Sequence, residues 1–202
     1  PDGWEKDAPY LVKMLEEEYG KIWIVHRLDK VTSGVMVFAR NAETHRVLSM
    51  QFENHEAQKI YHAIVEGNPK WEEKITRFQL RVNVGHKHRT IVDDRHGKPS
   101  ETRFRLLKQY PSSAWIEASP MTGRTHQIRV HLAWVKHPIL GDTLYGGPPL
   151  MLSSLKSEYR LKPGKAERPL ISTVALHAEQ LKFTHPVGGS EVSITAEWPK
   201  DL

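Results

Sequence analysis

The chain has 202 residues, which suits one domain with a sizeable core and room for a deep cleft. It carries 29 Lys and Arg against 24 Asp and Glu, and this formal charge of +5 fits a phosphate-rich partner as well as it fits a solvated basic surface. The absence of cysteine excludes disulfides, thiolate nucleophiles and cysteine-based zinc sites. No apolar run approaches the roughly 20 residues of a membrane helix, and the first residues lack a signal-peptide pattern. We therefore expect a soluble cytoplasmic protein.

Apolar residues at helical spacing predict three helices. The first ends at a glycine stop, Gly20, and the second follows Asn41, whose side chain suits an N-cap. Thr122 or Thr125 is the candidate cap of the third. The predicted helical segments are 8–19, 41–54 and 125–135.

Short runs rich in apolar and β-branched residues predict strands between and after these helices. The predicted strands are 22–25, 35–39, 59–66, 78–84, 101–109, 114–119, 175–184 and 191–197. Many strands, few helices and no regular βαβ rhythm favour an α+β fold with a mostly antiparallel sheet.

A polar stretch, residues 26–34, separates the first two predicted strands and reads His-Arg-Leu-Asp-Lys-Val-Thr-Ser-Gly. It displays Arg27, Asp29 and Lys30 together on a loop between rigid elements. An aspartate in a turn commonly caps nearby backbone N–H groups, whereas a carboxylate in a cleft can also act as a nucleophile or a base. The local sequence leaves both roles of Asp29 open.

Three stretches of the chain together carry a family signature. They are the loop 26–34, the strand 59–67 (Lys-Ile-Tyr-His-Ala-Ile-Val-Glu-Gly) and the segment 123–132 (Gly-Arg-Thr-His-Gln-Ile-Arg-Val-His-Leu), which runs on into 137–142. In this order they resemble the motifs of the RluA-type RNA pseudouridine synthases. The resemblance implies the pseudouridine synthase catalytic fold, a mostly antiparallel mixed sheet with flanking helices and a central RNA-binding cleft. It also implies isomerisation of specific uridines to pseudouridine in ribosomal or transfer RNA, by a monomer without cofactor or metal.

The resemblance assigns catalysis to three residues. Asp29 would attack C1′ or C6 of the uridine, or remove the C2′ proton. Arg129 would keep Asp29 ionised in the cleft, because its fork can bind a carboxylate at two points; Arg124 competes for this role. Tyr61 would stack under the flipped uracil, with its hydroxyl near the atom to be deprotonated.

The same resemblance suggests which residues contact RNA. Arg27 resembles the residue that enters the stack vacated by the flipped base. His26 either contacts RNA or fixes the loop. Lys59, Arg124 and His126 complete the set of candidate RNA contacts.

Two further expectations concern the surroundings of Asp29. Thr32, Ser33 and Gly34 are expected to form a turn that orients Asp29. Leu176 or Leu181 is expected to supply the apolar wall below the base.

The chain departs from the family pattern at its start. Family members usually carry an upstream strand with an Asn-Lys-Pro-x-Gly type motif, and many carry an N-terminal RNA-binding S4 domain, neither of which is found in these residues. We expect residues 1–202 to form a single pseudouridine synthase catalytic domain, either as part of a longer protein or as a minimal member.

Other interpretations were weighed against this one. The 12 histidines suggest a metallohydrolase, but His126 and His131 would lie roughly 140° apart around a helix and would not face one site. A non-catalytic RNA-binding module would need none of the three catalytic candidates. The basic segment 85–98 is either a solvated hairpin or a contact for RNA phosphates.

Overall fold

The computed structural model describes residues 10–156, 158–161, 164–171 and 173–199. The helices are α1 (Leu11–Tyr19), α2 (Ala42–Glu53), α3 (Gln127–Trp134) and α4 (Leu152–Leu155), with a 3₁₀ turn at Thr143–Tyr145. The strands are β1 (Trp23–Ile24), β2 (Ser33–Gly34), β3 (Phe38–Ala39), β4 (Gln58–Glu66), β5 (Glu73–Val84), β6 (Arg89–Val92), β7 (Lys98–Gln109), β8 (Ser113–Pro120), β9 (Leu176–Thr184) and β10 (Glu191–Thr195).

One large sheet organises the fold. Its strand order is β10-β9-β4-β8-β7-β5-β6, and β2 adds a short parallel pairing to β9 while the other pairings are antiparallel. β1 and β3 form a separate antiparallel ribbon. This architecture confirms the predicted α+β class with a mostly antiparallel sheet. Strand β4, in the middle of the order, carries the family-like segment that includes Tyr61.

Two apolar clusters fix the helices to this sheet. In the larger one, Ile128 and Leu132 of α3 pack with Ala63 and Ile116 of the central strands. In the smaller one, Leu48 of α2 packs on the face of β9. Burying apolar side chains in this way supplies most of the driving force for folding. It also places the start of α3 and the loop 26–34 above the same central strands.

The N-termini of α2 and α3 are capped in different ways. The predicted cap of α2 is confirmed, because Asn41 Oδ1 accepts a hydrogen bond from Thr44 N at 2.8 Å. The predicted cap of α3 is wrong, since neither candidate threonine occupies the cap position. His126 does so with a left-handed φ of 55°, and its side chain does not cap the helix. Gln127 instead folds back, and its Oε1 accepts from Arg124 N at 3.0 Å.

Helix α1 was correctly predicted to stop at a glycine, and Gly20 has a φ of 74°. Its apolar face, however, is not covered: Leu11 is 49 % exposed and Met14 is 56 % exposed. Residues 8 and 9 of the predicted helix lie outside the described residues. In the part of the chain that the structure describes, no helix is both long and apolar enough to cross a membrane.

A buried histidine ties α3 to the sheet. His131 is 0 % exposed and forms hydrogen bonds with Thr76 Oγ1 at 2.6 Å and Ser100 Oγ at 2.9 Å. Burial lowers the pKa of His131 to about 4, because the charged ring would lose its hydration. Both ring nitrogens of His131 thus bond hydroxyl groups of the sheet, in agreement with the expectation that His126 and His131 do not face one site.

We expect the free energy of unfolding to fall as the pH drops from about 6.5 to about 4. In that window the unfolded chain takes up a proton on His131 while the folded chain, with the pKa lowered to about 4, does not. The loss amounts to about 3 kcal/mol. Denaturant titrations at several pH values give the free energy of unfolding as a function of pH. This free energy should depend less steeply on pH in His131→Asn, which is also less stable at pH 7. In the exposed control His86→Asn it should depend on pH as steeply as in the wild type. If the unfolding free energy of His131→Asn depended on pH as steeply as that of the wild type, the pH dependence could not be assigned to His131.

Candidate active site

A cleft of about 380 Å³ opens between the loop 26–34, strand β4 and the start of α3. All eight site residues predicted from the sequence line it, although they come from three separate segments of the chain. They are His26, Arg27, Asp29, Lys59, Tyr61, Arg124, His126 and Arg129. Leu176 of β9 also lines this cleft, whereas Leu181 is buried in the smaller apolar cluster. Of the two candidates for the apolar wall, Leu176 therefore has the required position.

The loop that carries Asp29 is attached to the sheet. The expectation that Ser33 and Gly34 form a turn is wrong, because both pair in parallel with His177 and Ala178 of β9. Ser33 Oγ also lies 2.8 Å from His177 Nδ1. At Gly34 the backbones approach so closely that a Cβ would collide with the carbonyl of Ala178, and φ is 119°. Only glycine fits such a position without strain.

The Asp29 carboxylate faces two nitrogen-bearing side chains. Its Oδ2 lies 3.3 Å from Arg129 Nη1 and 3.8 Å from His126 Nε2. Arg129 was predicted to hold this carboxylate, and the structure places it there in preference to Arg124, whose Nε donates to the Pro99 carbonyl at 3.2 Å. Arg129 therefore places a positive charge beside the Asp29 carboxylate.

The predicted two-point contact between Arg129 and Asp29 is wrong. The fork of Arg129 binds Asp142 instead, with Nε donating to Oδ2 at 2.7 Å and Nη2 to Oδ1 at 2.8 Å. The two side chains are 5 % and 1 % exposed. Burial alone would lower the pKa of Arg129, but the hydrogen bonds and charge of Asp142 outweigh it and raise that pKa. Asp142 thus orients the guanidinium so that Nη1 remains for Asp29.

Sequence reasoning missed Asp142 and Tyr145. Asp142 is the last residue of the family-like run 137–142, and its place in that run could have marked it as a candidate site residue. Tyr145 lies on the next turn, with its ring 5.1 Å from the guanidinium carbon of Arg129. Because its partners come from distant segments, no local pattern could have found it.

His126 connects Tyr145 to Asp29. Its Nδ1 lies 2.7 Å from the Tyr145 hydroxyl, which also accepts a hydrogen bond from Thr90 N at 2.9 Å. That hydroxyl still has a proton that it can donate to Nδ1 of a neutral ring; in that tautomer the ring proton lies on Nε2, which is 3.8 Å from Asp29 Oδ2. Burial lowers the pKa of His126 and outweighs the opposite effect of Asp29. Its left-handed φ of 55° directs the ring into the cleft at a small cost in backbone strain.

Tyr61 and Lys59 approach the cleft from neighbouring positions on β4. Burial, followed by the charge of Asp29, raises the pKa of Tyr61 to about 12, so its phenol is neutral at pH 7. Burial also lowers the pKa of Lys59. The Lys59 ammonium lies against Gly123, at the start of the segment that leads to His126.

His26 fixes the loop, which was one of the two roles considered for it. Its Nε2 accepts from Val37 N at 3.1 Å, and its ring stacks on Phe52 with centroids 4.5 Å apart. Burial, with a smaller effect of Lys59, lowers the pKa of His26 to about 4, which suits a neutral acceptor. Arg27 is exposed at the mouth of the cleft. Within the described ranges, no group of three or more His, Cys, Asp or Glu side chains could hold a metal ion.

Comparison with known proteins is consistent with this geometry. The model of the RNA pseudouridylate synthase family matches residues 5–134. The chain is 37% identical over 179 residues to Ribosomal large subunit pseudouridine synthase D of Zymomonas mobilis, covering 89% of this chain and 53% of that protein. It is 31% identical over 219 residues to tRNA pseudouridine synthase C of Pectobacterium carotovorum, covering 98% and 55%. The chain thus spans about half the length of these curated relatives.

The fold is shared with a solved structure. A solved structure, Human RNA Pseudouridylate Synthase Domain Containing 1, superposes with a TM-score of 0.71 at 24% identity, covering 93% of this chain and 73% of that one. The match to the family model extends over well over half of the chain and includes the loop 26–34, the strand segment 59–67 and the segment 123–132. The resemblance seen in the three motifs is confirmed: this chain belongs to the RNA pseudouridylate synthase family.

Proposed function

We propose that this protein isomerises specific uridines to pseudouridine in structured RNA, with Asp29 as the reacting carboxylate. The observation that carries the proposal is the position of Asp29 in the cleft, 3.3 Å from the buried guanidinium of Arg129. The names of the relatives, which refer to the large ribosomal subunit and to tRNA, support ribosomal or transfer RNA as the substrate class. The proposal includes a single catalytic domain that acts in the cytoplasm as a monomer, without cofactor or metal.

The reaction rearranges one nucleotide without a redox change. The bond between C1′ of the ribose and N1 of uracil breaks, the base turns, C5 bonds to C1′, the C5 proton is lost and N1 takes up a proton. Asp29 attacks C1′ or C6, or removes the C2′ proton, and regenerates as a free carboxylate at the end. A preorganised carboxylate held by a fixed cation loses little free energy in reorganisation as the reaction proceeds.

The target base must leave its stack to reach Asp29, because the carboxylate lies within the cleft. The exposed Arg27 at the cleft mouth is placed to enter the vacated space and to offset part of the unstacking cost. Leu176 and the ring of Tyr61 supply apolar surface against which the uracil can stack.

The protonation of Tyr61 suits a late step. With a pKa raised to about 12, the phenol is protonated in the free enzyme. When Asp29 becomes covalently bonded its negative charge disappears, and with it the second cause of that raised pKa. With that charge gone, the pKa of Tyr61 falls and its phenolate forms more readily; the phenol gives its proton to uracil N1 or to water, and the phenolate then accepts the C5 proton.

We expect Tyr61→Phe to lower turnover about 10²- to 10³-fold while RNA affinity stays within about twofold. Phenylalanine keeps the packing of the ring and removes only the hydroxyl. Single-turnover rates on saturating RNA measure the effect, with Tyr110→Phe as the matched control on an exposed tyrosine. Full activity of Tyr61→Phe would exclude the hydroxyl from the reaction.

The activity itself is tested by release of tritium from RNA labelled at uridine C5. Unmodified ribosomal and transfer RNA transcripts are incubated with the protein in the presence of a chelator, and the recovered nucleosides are compared with pseudouridine. Release with formation of pseudouridine supports the proposal. RNA that binds but releases no label would instead identify a non-catalytic RNA-binding module.

A further inference from the structure

A second cavity, of about 510 Å³, lies between β6 and α3. Its lining is mainly apolar, and two cations, Arg89 and Lys136, belong to it. Trp134, the last residue of α3, is 55 % exposed there. Trp134 therefore presents part of an aromatic ring at a cavity that two cations also line.

The indole of Trp134 is held in place although more than half of it is exposed. Its ring meets Phe78 in an edge contact, with centroids 5.8 Å apart, and Phe78 in turn contacts the buried His131. Lys136, two residues later, has a left-handed φ of 69°. In the part of the chain that the structure describes, neither Arg89 nor Lys136 is paired with a carboxylate. Both charges are therefore available to an external anion.

This cavity shares a wall with the catalytic cleft. Thr90 Oγ1 donates to the Thr125 carbonyl at 2.9 Å, and the Tyr145 hydroxyl lies 2.7 Å from His126 Nδ1. Thr90 and Tyr145 line the second cavity, whereas Thr125 and His126 line the cleft. A polymer whose target residue enters the cleft would therefore pass close to the second cavity.

We propose that the second cavity binds an unpaired nucleotide of the RNA near the target uridine, with the base stacked on Trp134 and its phosphate close to Arg89 and Lys136. Single-stranded RNA is commonly bound by aromatic platforms next to cations, because every base has a face that can stack. The choice of RNA as the occupant rests on the proposed function. An acidic peptide is the competing ligand for the same combination of charge and apolar surface.

The test measures the affinity of the full chain for a labelled single-stranded oligouridylate and for an RNA duplex of the same length. Trp134→Ala should weaken binding of the single strand about tenfold and binding of the duplex much less. Trp134→Phe should restore most of the affinity. Tyr110→Ala is the matched control, because Tyr110 is also an exposed aromatic residue next to a lysine, Lys108, 5.2 Å away.

Replacing the two cations should change the salt dependence of RNA affinity. The double variant Arg89→Gln/Lys136→Gln should reduce the slope of log affinity against log salt by about 1 to 2, whereas Trp134→Ala should leave that slope unchanged. This double variant alters only exposed side chains, so it still tests the proposed nucleotide site if Trp134→Ala fails to fold.

Single-strand affinity that equals the wild type in Trp134→Ala, or in the double variant, would overturn the proposal. So would an acidic peptide that competes more strongly than the oligouridylate. Tritium release with the same KM in wild type and Trp134→Ala would refute the nucleotide site and leave the proposed activity intact. A wild type that releases no tritium, together with a Trp134-dependent single-strand affinity, would refute the activity and support the site.

Discussion

Asp29→Asn should abolish tritium release, with a fall of about 10⁴-fold or more in the single-turnover rate. The amide has the size of the carboxylate but is neither a nucleophile nor a base at neutral pH. Because Asp29 has one contact with Arg129 at 3.3 Å and remains partly exposed, we expect the fold to survive the change. RNA affinity should stay within about twofold, since phosphate contacts carry most of it.

The control for this experiment is Asp94→Asn, which removes an exposed carboxylate and should change neither rate nor affinity. Tritium release by Asp29→Asn at a rate near that of the wild type would show that another group performs the chemistry. A large loss of RNA affinity in the variant would mean that Asp29 acts mainly by holding the loop.

Asp142→Asn should lower the free energy of unfolding by about 3 to 5 kcal/mol, the usual cost of breaking a buried ion pair from one side. The change leaves the guanidinium of Arg129, which is 5 % exposed, with an amide in place of a charged partner. The freed Arg129 should no longer present Nη1 to Asp29 in a fixed position, so turnover should fall about 10²-fold as well. Denaturant unfolding and single-turnover rates, both measured where the variant is folded, test the two effects.

Asp94→Asn serves again as the matched control, because the substitution is the same and the residue is exposed. Normal stability of Asp142→Asn would mean that Arg129 needs no second carboxylate. Reduced stability with full turnover would separate the role of Asp142 in folding from the orientation of Arg129.

The motifs were sufficient to predict which residues meet in the cleft. Three segments contribute to it: the loop 26–34, the strand with Tyr61 and the segment with Arg129. Each contains several residues whose chemistry suits the same reaction, and these residues lie close enough in sequence to be seen as a motif. The strands were predicted well where apolar alternation is strong, although β5 begins at Glu73, five residues before its predicted start at 78. Its first residues do not show the usual alternation, since the apolar Ile75 is exposed and the polar Thr76 is buried.

What the sequence could not show are contacts between distant segments. The pairing of Arg129 with Asp142 depends on how α3 packs above the turn that follows it. The parallel pairing of Ser33 with His177 joins residues 144 positions apart. The start of α3 was predicted wrongly because a threonine is a common cap, whereas here His126 takes the cap position and turns its ring toward Asp29. In each case the tertiary contact outweighs the local preference.

The contact between Gly34 and the backbone of Ala178 also determines which sequences this site can tolerate. Gly34 does not line the cleft, yet a library randomised there and selected for modified RNA should return glycine alone, because any side chain would push the loop off β9. Evolutionary freedom within this loop is therefore governed by how closely two main chains approach, as well as by the chemistry of Asp29.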